Sequence, residues 1–323
     1  MIHARGLVHT FRTRRGREKA DVTAVQGVDL DVDAGEIVAF LGPNGAGKTT
    51  TLRILTTLLR PTQGTARVAG FDVATEPVQV RQHIGYVSQS GSTSSVARAG
   101  DEVVDHGLLY GIDRAQAERR ARELFAQLDL DGLWSRQPKS LSGGQRRRLD
   151  VAMGLIHDPA LVFLDEPTSG LDPQARANLW SHIEDLRDRR GTTVFLTTHY
   201  LDEADALSDR LVVIDHGRIV ASDTAENLKA GVAGDLVHLE VSDAAKVQVA
   251  AQRLEALTGG SGVEVDATSV RGRVARAGTV IQGLMRELDR VDVALTSIEV
   301  RPPTLDDVFL NLTGRSLRDD AAA

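Results

Sequence analysis

The clearest chemical signal in the sequence is Gly42-Pro43-Asn44-Gly45-Ala46-Gly47-Lys48-Thr49, which has the spacing G-x-x-x-x-G-K-[ST]. Glycines let a backbone curl until several N–H groups point at one anion. A helix beginning at Lys48 would add the positive end of its dipole. Lys48 would reach the β- and γ-phosphates of a nucleotide, and Thr49 would offer its hydroxyl to Mg²⁺. The plainer alternative is a glycine-rich turn that binds nothing. A second signal is Leu161-Val162-Phe163-Leu164-Asp165-Glu166, an apolar strand ending in two carboxylates. Unpaired charge beside a core is costly, and a Mg²⁺ ion would compensate it. Asp165 would hold that ion and Glu166 would face the attacking water as general base. The alternative is an acidic turn capping the next helix. Thr197-Thr198-His199 ends a further apolar run, where His199 could donate a hydrogen bond to a γ-phosphate. A lone, partly buried histidine is more often only structural.

These residues need a scaffold. Residues 36–41 read as a buried strand running into the glycine turn, and residues 48–59 as the helix after it. Residues 160–164 and 192–198 are two more buried strands, with a helix over 174–189 between them. Residues 114–128 pattern as an amphipathic helix, and strands over 211–214 and 219–221 flank the hairpin turn Asp215-His216-Gly217-Arg218. Strands alternating with helices predict a parallel sheet, whose ligands sit beyond the carboxyl ends of its strands. Lys48, Asp165, Glu166 and His199 would then converge on one edge. After a linker over 230–234, the pattern is strand 237–241, helix 244–257, strands 263–267 and 270–275, helix 280–288 and strand 295–301. That βαββαβ order predicts a small ferredoxin-like unit. Pro302-Pro303 stops the last strand, residues 304–312 read as a closing helix, and 316–323 as a disordered tail.

A chain of 323 residues, 41% of them apolar, can bury a sizeable core and accommodate one large and one smaller domain. A net charge of -7 argues against a nucleic-acid partner. The absence of cysteine excludes a disulfide framework and a cysteine metal site. No apolar run approaches the about 20 residues that cross a bilayer, and residues 1–10 contain no signal core. The chain therefore reads as soluble and cytoplasmic, so any work at a membrane would need another chain to span it.

Leu141-Ser142-Gly143-Gly144-Gln145, placed before a helix over 146–156, resembles the signature motif of the ABC ATPases. Serine and glycines at a helix start make a second anion site. In that family it covers the nucleotide of a second, head-to-tail subunit. The other family elements follow in order. Asn44, Gly45, Ala46, Gly47, Lys48, Thr49 and Thr50 match the phosphate loop, and Gln89 resembles the glutamine that touches Mg²⁺. Asp172, in Ser169-Gly170-Leu171-Asp172, resembles the loop that crosses the dimer interface. His199 resembles the switch histidine, and Phe11 the aromatic that stacks on adenine. The resemblance covers residues 1–230. It implies a P-loop NTPase core with a RecA-like parallel sheet, an N-terminal antiparallel β subdomain and a helical subdomain over about 90–150. A small C-terminal α+β domain would occupy 231–315. The implied cofactors are ATP and Mg²⁺, with Thr49, Gln89 and Asp165 around the metal. Two features depart from the family pattern. Residues 12–22 are inserted after Phe11 and read as a basic, solvated loop between strands, with contact to anionic lipid as the alternative. Residues 90–104 differ from the usual run, which bears on the choice of membrane partner.

The strings 140–149 and EPTSGLDP, with the end Pro302-Pro303-Thr304-Leu305-Asp306-Asp307-Val308-Phe309-Leu310, resemble the daunorubicin-resistance type of ABC ATPase. That resemblance implies a homodimer closing on ATP, peripheral on the inner face of the cell membrane. It would drive a separate ABC-2 type permease that exports drugs or other hydrophobic compounds. Two other readings stay open. An importer subunit would need an external binding protein. A non-transport ABC ATPase would carry long coiled coils or two cores, and no sustained heptads occur here.

Overall fold

The computed structural model describes residues 1–15, 18–94, 96–232, 234–258 and 262–315. Two positions of the basic insert, 16 and 17, and the expected tail at 316–323 lie outside the described residues. The chain divides into a compact unit over Met1–Ala225 and a second beginning at Glu226.

The first unit opens with an antiparallel ribbon, β1 (Ile2–Arg15) and β2 (Glu18–Val32). Next come β3 (Ile37–Leu41), α1 (Lys48–Leu55), β4 (Gln63–Val68), β5 (Phe71–Asp72), α2 (Pro77–His83) and β6 (Ile84–Val87). The helical part follows as α3 (Ala99–Leu109), α4 (Arg114–Gln127) and α5 (Gly143–Leu155). The unit continues with β7 (Leu161–Asp165), α6 (Pro173–Arg190), β8 (Thr193–Thr198), α7 (Leu201–Leu207), β9 (Arg210–Asp215) and β10 (Arg218–Asp223), and α8 (Ala225–Ala230) begins at its last residue. Two sheets result. The antiparallel one has the order β2-β1-β4-β5, and the other β10-β9-β3-β8-β7-β6. In the second sheet β9, β3, β8, β7 and β6 run parallel, with β10 antiparallel at the edge. Every residue of β3, β7 and β8 is buried, as a sheet covered on both faces requires. Phe195 of β8 lies 5.5 Å from Phe40 of β3 and 5.6 Å from Phe163 of β7, knitting the three central strands through their rings. This α/β core carries the predicted parallel sheet, antiparallel subdomain and helical subdomain.

Several expectations change, among them the helix expected over 146–156, which begins at Gly143. The insert over 12–22 is not a loop in its described part: β1 and β2 run on through it, with Phe11 opposite Val22 and Arg12 opposite Asp21. Strand pairing satisfies the backbone groups that a loop would leave to water. The helix expected over 48–59 ends at Leu55, because Thr57 adopts φ 64, outside the helical region. The strand β6 was not anticipated, since its span is too short for periodicity to register.

The second unit contains β11 (Asp235–Val241), α9 (Val247–Thr258), β12 (Glu264–Asp266), β13 (Ser269–Val274), α10 (Ala277–Arg290), β14 (Leu295–Arg301) and α11 (Leu305–Thr313). Its sheet has the order β12-β13-β11-β14, with antiparallel neighbours throughout. Alternate residues Val237, Leu239 and Val241 of β11 are buried, and so are Val270 and Val274 of β13. They pack with Ala250 and Leu254 of α9 and with Leu284 and Leu288 of α10 in one core.

Candidate active site

The glycine turn between β3 and α1 is forced tight by its neighbours. A Cβ at Gly42 would lie 2.3 Å from the Ile214 carbonyl oxygen, and one at Gly47 would lie 2.4 Å from that of Ala24. Gly47 also adopts φ 104, a left-handed value that disfavours side chains. The turn from β9 to β10 braces it from outside: Gly217 N donates to the Ala46 carbonyl at 2.9 Å.

Within this turn Lys48 is only 4% exposed. Its Nζ donates to the Gly42 carbonyl at 2.7 Å and the Pro43 carbonyl at 3.0 Å, and lies 3.6 Å from Glu166 Oε1. Burial pushes the ammonium below its usual pKa, against the pull of Glu166 and Asp165. Thr49 Oγ1 donates to Asp165 Oδ1 at 3.1 Å, and Thr197 Oγ1 donates to the same oxygen at 2.7 Å. Glu166, just past the end of β7, turns into the left-handed region at φ 44. A non-glycine residue held there stores strain of a kind that clusters at functional sites.

Glu166 is the hub. Gln89 Nε2 donates to its Oε2 at 2.8 Å, and His199 Nδ1 lies 3.3 Å from its Oε1. Burial raises its pKa, but His199 and Lys48 together outweigh burial and hold the carboxyl below its usual value. An open pocket beside it is lined by Ala24, Asn44, Gly45, Gly47, Lys48, Thr49, Thr50, Gln89 and Glu166. The fold therefore brings together Lys48, Thr49, Gln89, Asp165, Glu166 and His199, contributed by one turn and three strand ends.

The remaining predicted residues lie elsewhere. Phe11 stands in the β1–β2 ribbon, edge-on to His9 at 4.5 Å, and is not among the pocket-lining residues. Ser142 caps α5: its Oγ accepts from Gln145 N at 3.2 Å, while Gln145 Oε1 accepts from Ser142 N at 3.0 Å. Asp172 caps α6, accepting from Ala175 N at 2.9 Å. These two helix starts adjoin, since a Cβ on Gly144 would lie 3.0 Å from Ala175 Cβ and one on Gly143 would lie 3.7 Å from Leu171 Cδ2. Neither helix start is among the residues that line the pocket beside Glu166.

Sequence reasoning overlooked Arg147. It is 7% exposed, and its guanidinium donates to the carbonyls of Pro167 at 2.7 Å, Ser88 at 2.5 Å and Asp165 at 2.9 Å. It ties the ends of β6 and β7 to α5, just where Gln89 and Glu166 emerge. The signal was available, because helical spacing puts Gly144, Arg147 and Val151 on one inward face.

Residues 25–169 match the ABC transporter family. The whole chain is 42% identical over 322 residues to the daunorubicin/doxorubicin resistance ATP-binding protein DrrA of Streptomyces peucetius, covering 98% of this chain and 94% of that one. The chain belongs to the ABC transporter ATP-binding proteins. This ABC ATPase is also 33% identical to the linearmycin resistance ATP-binding protein LnrL of Bacillus subtilis, over 92% of this chain and 96% of that one. Among solved structures, an ATP-binding cassette in a dimeric, post-hydrolysis state bound to ADP and Pi shares its fold with a TM-score of 0.63 and 25% identity. The match covers 69% of this chain and 98% of that cassette. The ABC ATPase binds ATP and hydrolyses it to ADP and phosphate, as its family does. No helix among the described residues is long and apolar enough to cross a membrane.

Proposed function

We propose that this chain is the ATP-hydrolysing subunit of an exporter. It drives a separate permease of the ABC-2 type and works from the cytoplasmic face of the membrane. The observation that carries the reading is the separation of the cradle at residues 42–49 from the helix start at Ser142. A helix start of that chemistry, apart from its own cradle, suits the nucleotide of a second subunit. Export of drugs or similar hydrophobic molecules is the reading that the names of the drug-resistance relatives support. The division of labour follows: an ATP-binding domain over 1–230 and an accessory domain over 231–315.

The residues take these roles. Backbone N–H groups of Asn44, Gly45, Ala46, Gly47, Lys48, Thr49 and Thr50 cradle the phosphates, and Lys48 neutralises the β- and γ-groups. Thr49 and Asp165 already share a hydrogen bond, so their hard oxygens face one spot and suit Mg²⁺, with Gln89 alongside. Held there, Mg²⁺ would offset charge on the transferred phosphoryl group. Glu166 accepts a proton from the attacking water, and His199 donates to the γ-phosphate. Phe11 stacks on adenine. Ser142, Gly143, Gly144 and Gln145, with Asp172 beside them, cover the nucleotide of the other subunit. ATP binding shifts an open pair of subunits toward a closed one, and hydrolysis releases it.

The test is Glu166→Gln with Mg-ATP. Turnover should fall by at least about a hundredfold, the effect expected when a general base is lost. Light scattering should show a dimer that wild-type protein forms only transiently. A variant that stays monomeric with bound ATP, or that hydrolyses at the wild-type rate, removes the reading.

A further inference from the structure

One buried carboxyl is left without a part in the chemistry just described. Glu203 of α7 is 0% exposed. Its Oε1 accepts from Thr168 Oγ1 at 2.9 Å and from Trp180 Nε1 of α6 at 3.3 Å, while its Oε2 has no hydrogen-bond partner among the described residues. Among the described residues no cation bonds to it directly. The nearest, Arg176, is engaged by Asp202 at 3.1 Å and lies over the Tyr200 ring at 4.3 Å. A carboxyl buried so deeply without an ion pair costs stability, so its position calls for a reason.

The partners supply one. Thr168 begins the loop that runs to Asp172, and its carbonyl accepts from Leu171 N at 3.1 Å. Thr198 ends β8 immediately before His199, and its carbonyl accepts from Gly42 N, the first residue of the phosphate turn, at 3.3 Å. Its hydroxyl also accepts from Tyr200 N at 2.9 Å. One carboxyl, carried by the helix that follows His199, therefore bridges to the loop toward Asp172 and to the helix α6 that Asp172 caps.

We infer that Glu203 is a positioning residue for hydrolysis: it clasps Thr168 to α7, the helix that follows His199, so that His199 and the loop leading to Asp172 hold one fixed spacing. This rests on the roles given above to His199 and Asp172. Loss of the clasp leaves the cradle, and so nucleotide affinity, intact, while the groups that act on the γ-phosphate drift. The effect belongs on kcat and not on KM.

The test compares steady-state ATPase activity of full-length Glu203→Ala, Glu203→Gln and Thr168→Val with wild type. In Glu203→Ala, kcat should fall at least about tenfold with KM within about twofold, because small misplacement of reacting groups is costly to rate. Glu203→Gln keeps an acceptor oxygen for Thr168 and Trp180 and should recover most of the rate. The double variant Glu203→Ala/Thr168→Val should be no slower than the slower single, as shared partners dictate. A wild-type kcat in Glu203→Ala overturns the clasp, as does an equal loss in kcat and nucleotide affinity, or a Gln variant no better than Ala. If Glu203→Ala does not fold, Thr168→Val decides alone, and a wild-type kcat there overturns it. Glu166→Gln runs alongside: if it retains turnover, the site assignment has failed and not the clasp.

Discussion

At the scale of single residues, the site is built by side chains that serve the backbone as much as by those facing the pocket. Arg147 gathers three carbonyls from two chain segments, the ends of β6 and β7. Replacing it with methionine removes the donors and leaves buried acceptors unpaired, at a cost of about 2–3 kcal/mol in urea unfolding. Arg147→Lys should recover less than half of that loss, because a compact ammonium cannot copy a planar fork of donors. The chemistry-bearing residues Lys48, Thr49, Asp165 and Glu166 were legible in the sequence because their types and spacing have few other uses. Arg147 was missed because it stands between Arg146 and Arg148: composition alone does not separate an inward arginine from two others, and only its helical spacing from Gly144 and Val151 does. The φ of Glu166 was invisible for a different reason: the strain comes from the surrounding fold, not from the residue.

Elements were legible where periodicity was long. The helix α4 was read almost to the residue, and β7 and β8 shifted by no more than one position at either end. The reading failed where tertiary pairing overrode local composition, as in the ribbon through residues 12–22. A second element-scale device joins the ends of α3 and α5 to the start of β6. His157 stacks on Tyr110 with centroids 3.7 Å apart, and its Nε2 shares a hydrogen bond with the Ile84 carbonyl at 2.9 Å. Burial holds the imidazole down to about 4 from its usual 6.5. The sign follows from proton binding. Above pH 6.5 both the folded and the unfolded chain carry neutral His157. Between 6.5 and about 4 only the unfolded chain takes up the proton, so stability falls as pH falls through that window. The full loss from this group is about 3 kcal/mol. Urea midpoints measured from pH 7.5 to 4.5 should show the decline, and His157→Gln should flatten it.

At the scale of the whole molecule, the chain is two compact units with separate apolar cores. The second unit closes a four-stranded sheet under α9 and α10 with no strand borrowed from the first. Residues 226–315 expressed alone should therefore unfold cooperatively by heat, with a far-ultraviolet spectrum of mixed helix and strand; a featureless melt would show dependence on the first unit. The alternation in β11 and β13 made these strands readable from sequence, whereas the register of β11 on β14 could not be read, because no local pattern encodes it.

The contacts of Glu166 also govern when it can act. Lys48 and His199 lean on its carboxylate and make it a weaker proton acceptor. An arriving γ-phosphate competes for the same two donors. Each donor that the phosphate draws off removes a contact that holds the carboxyl below its usual value, so its affinity for a proton climbs. On the proposed assignment, then, the substrate itself sharpens the base that will break it.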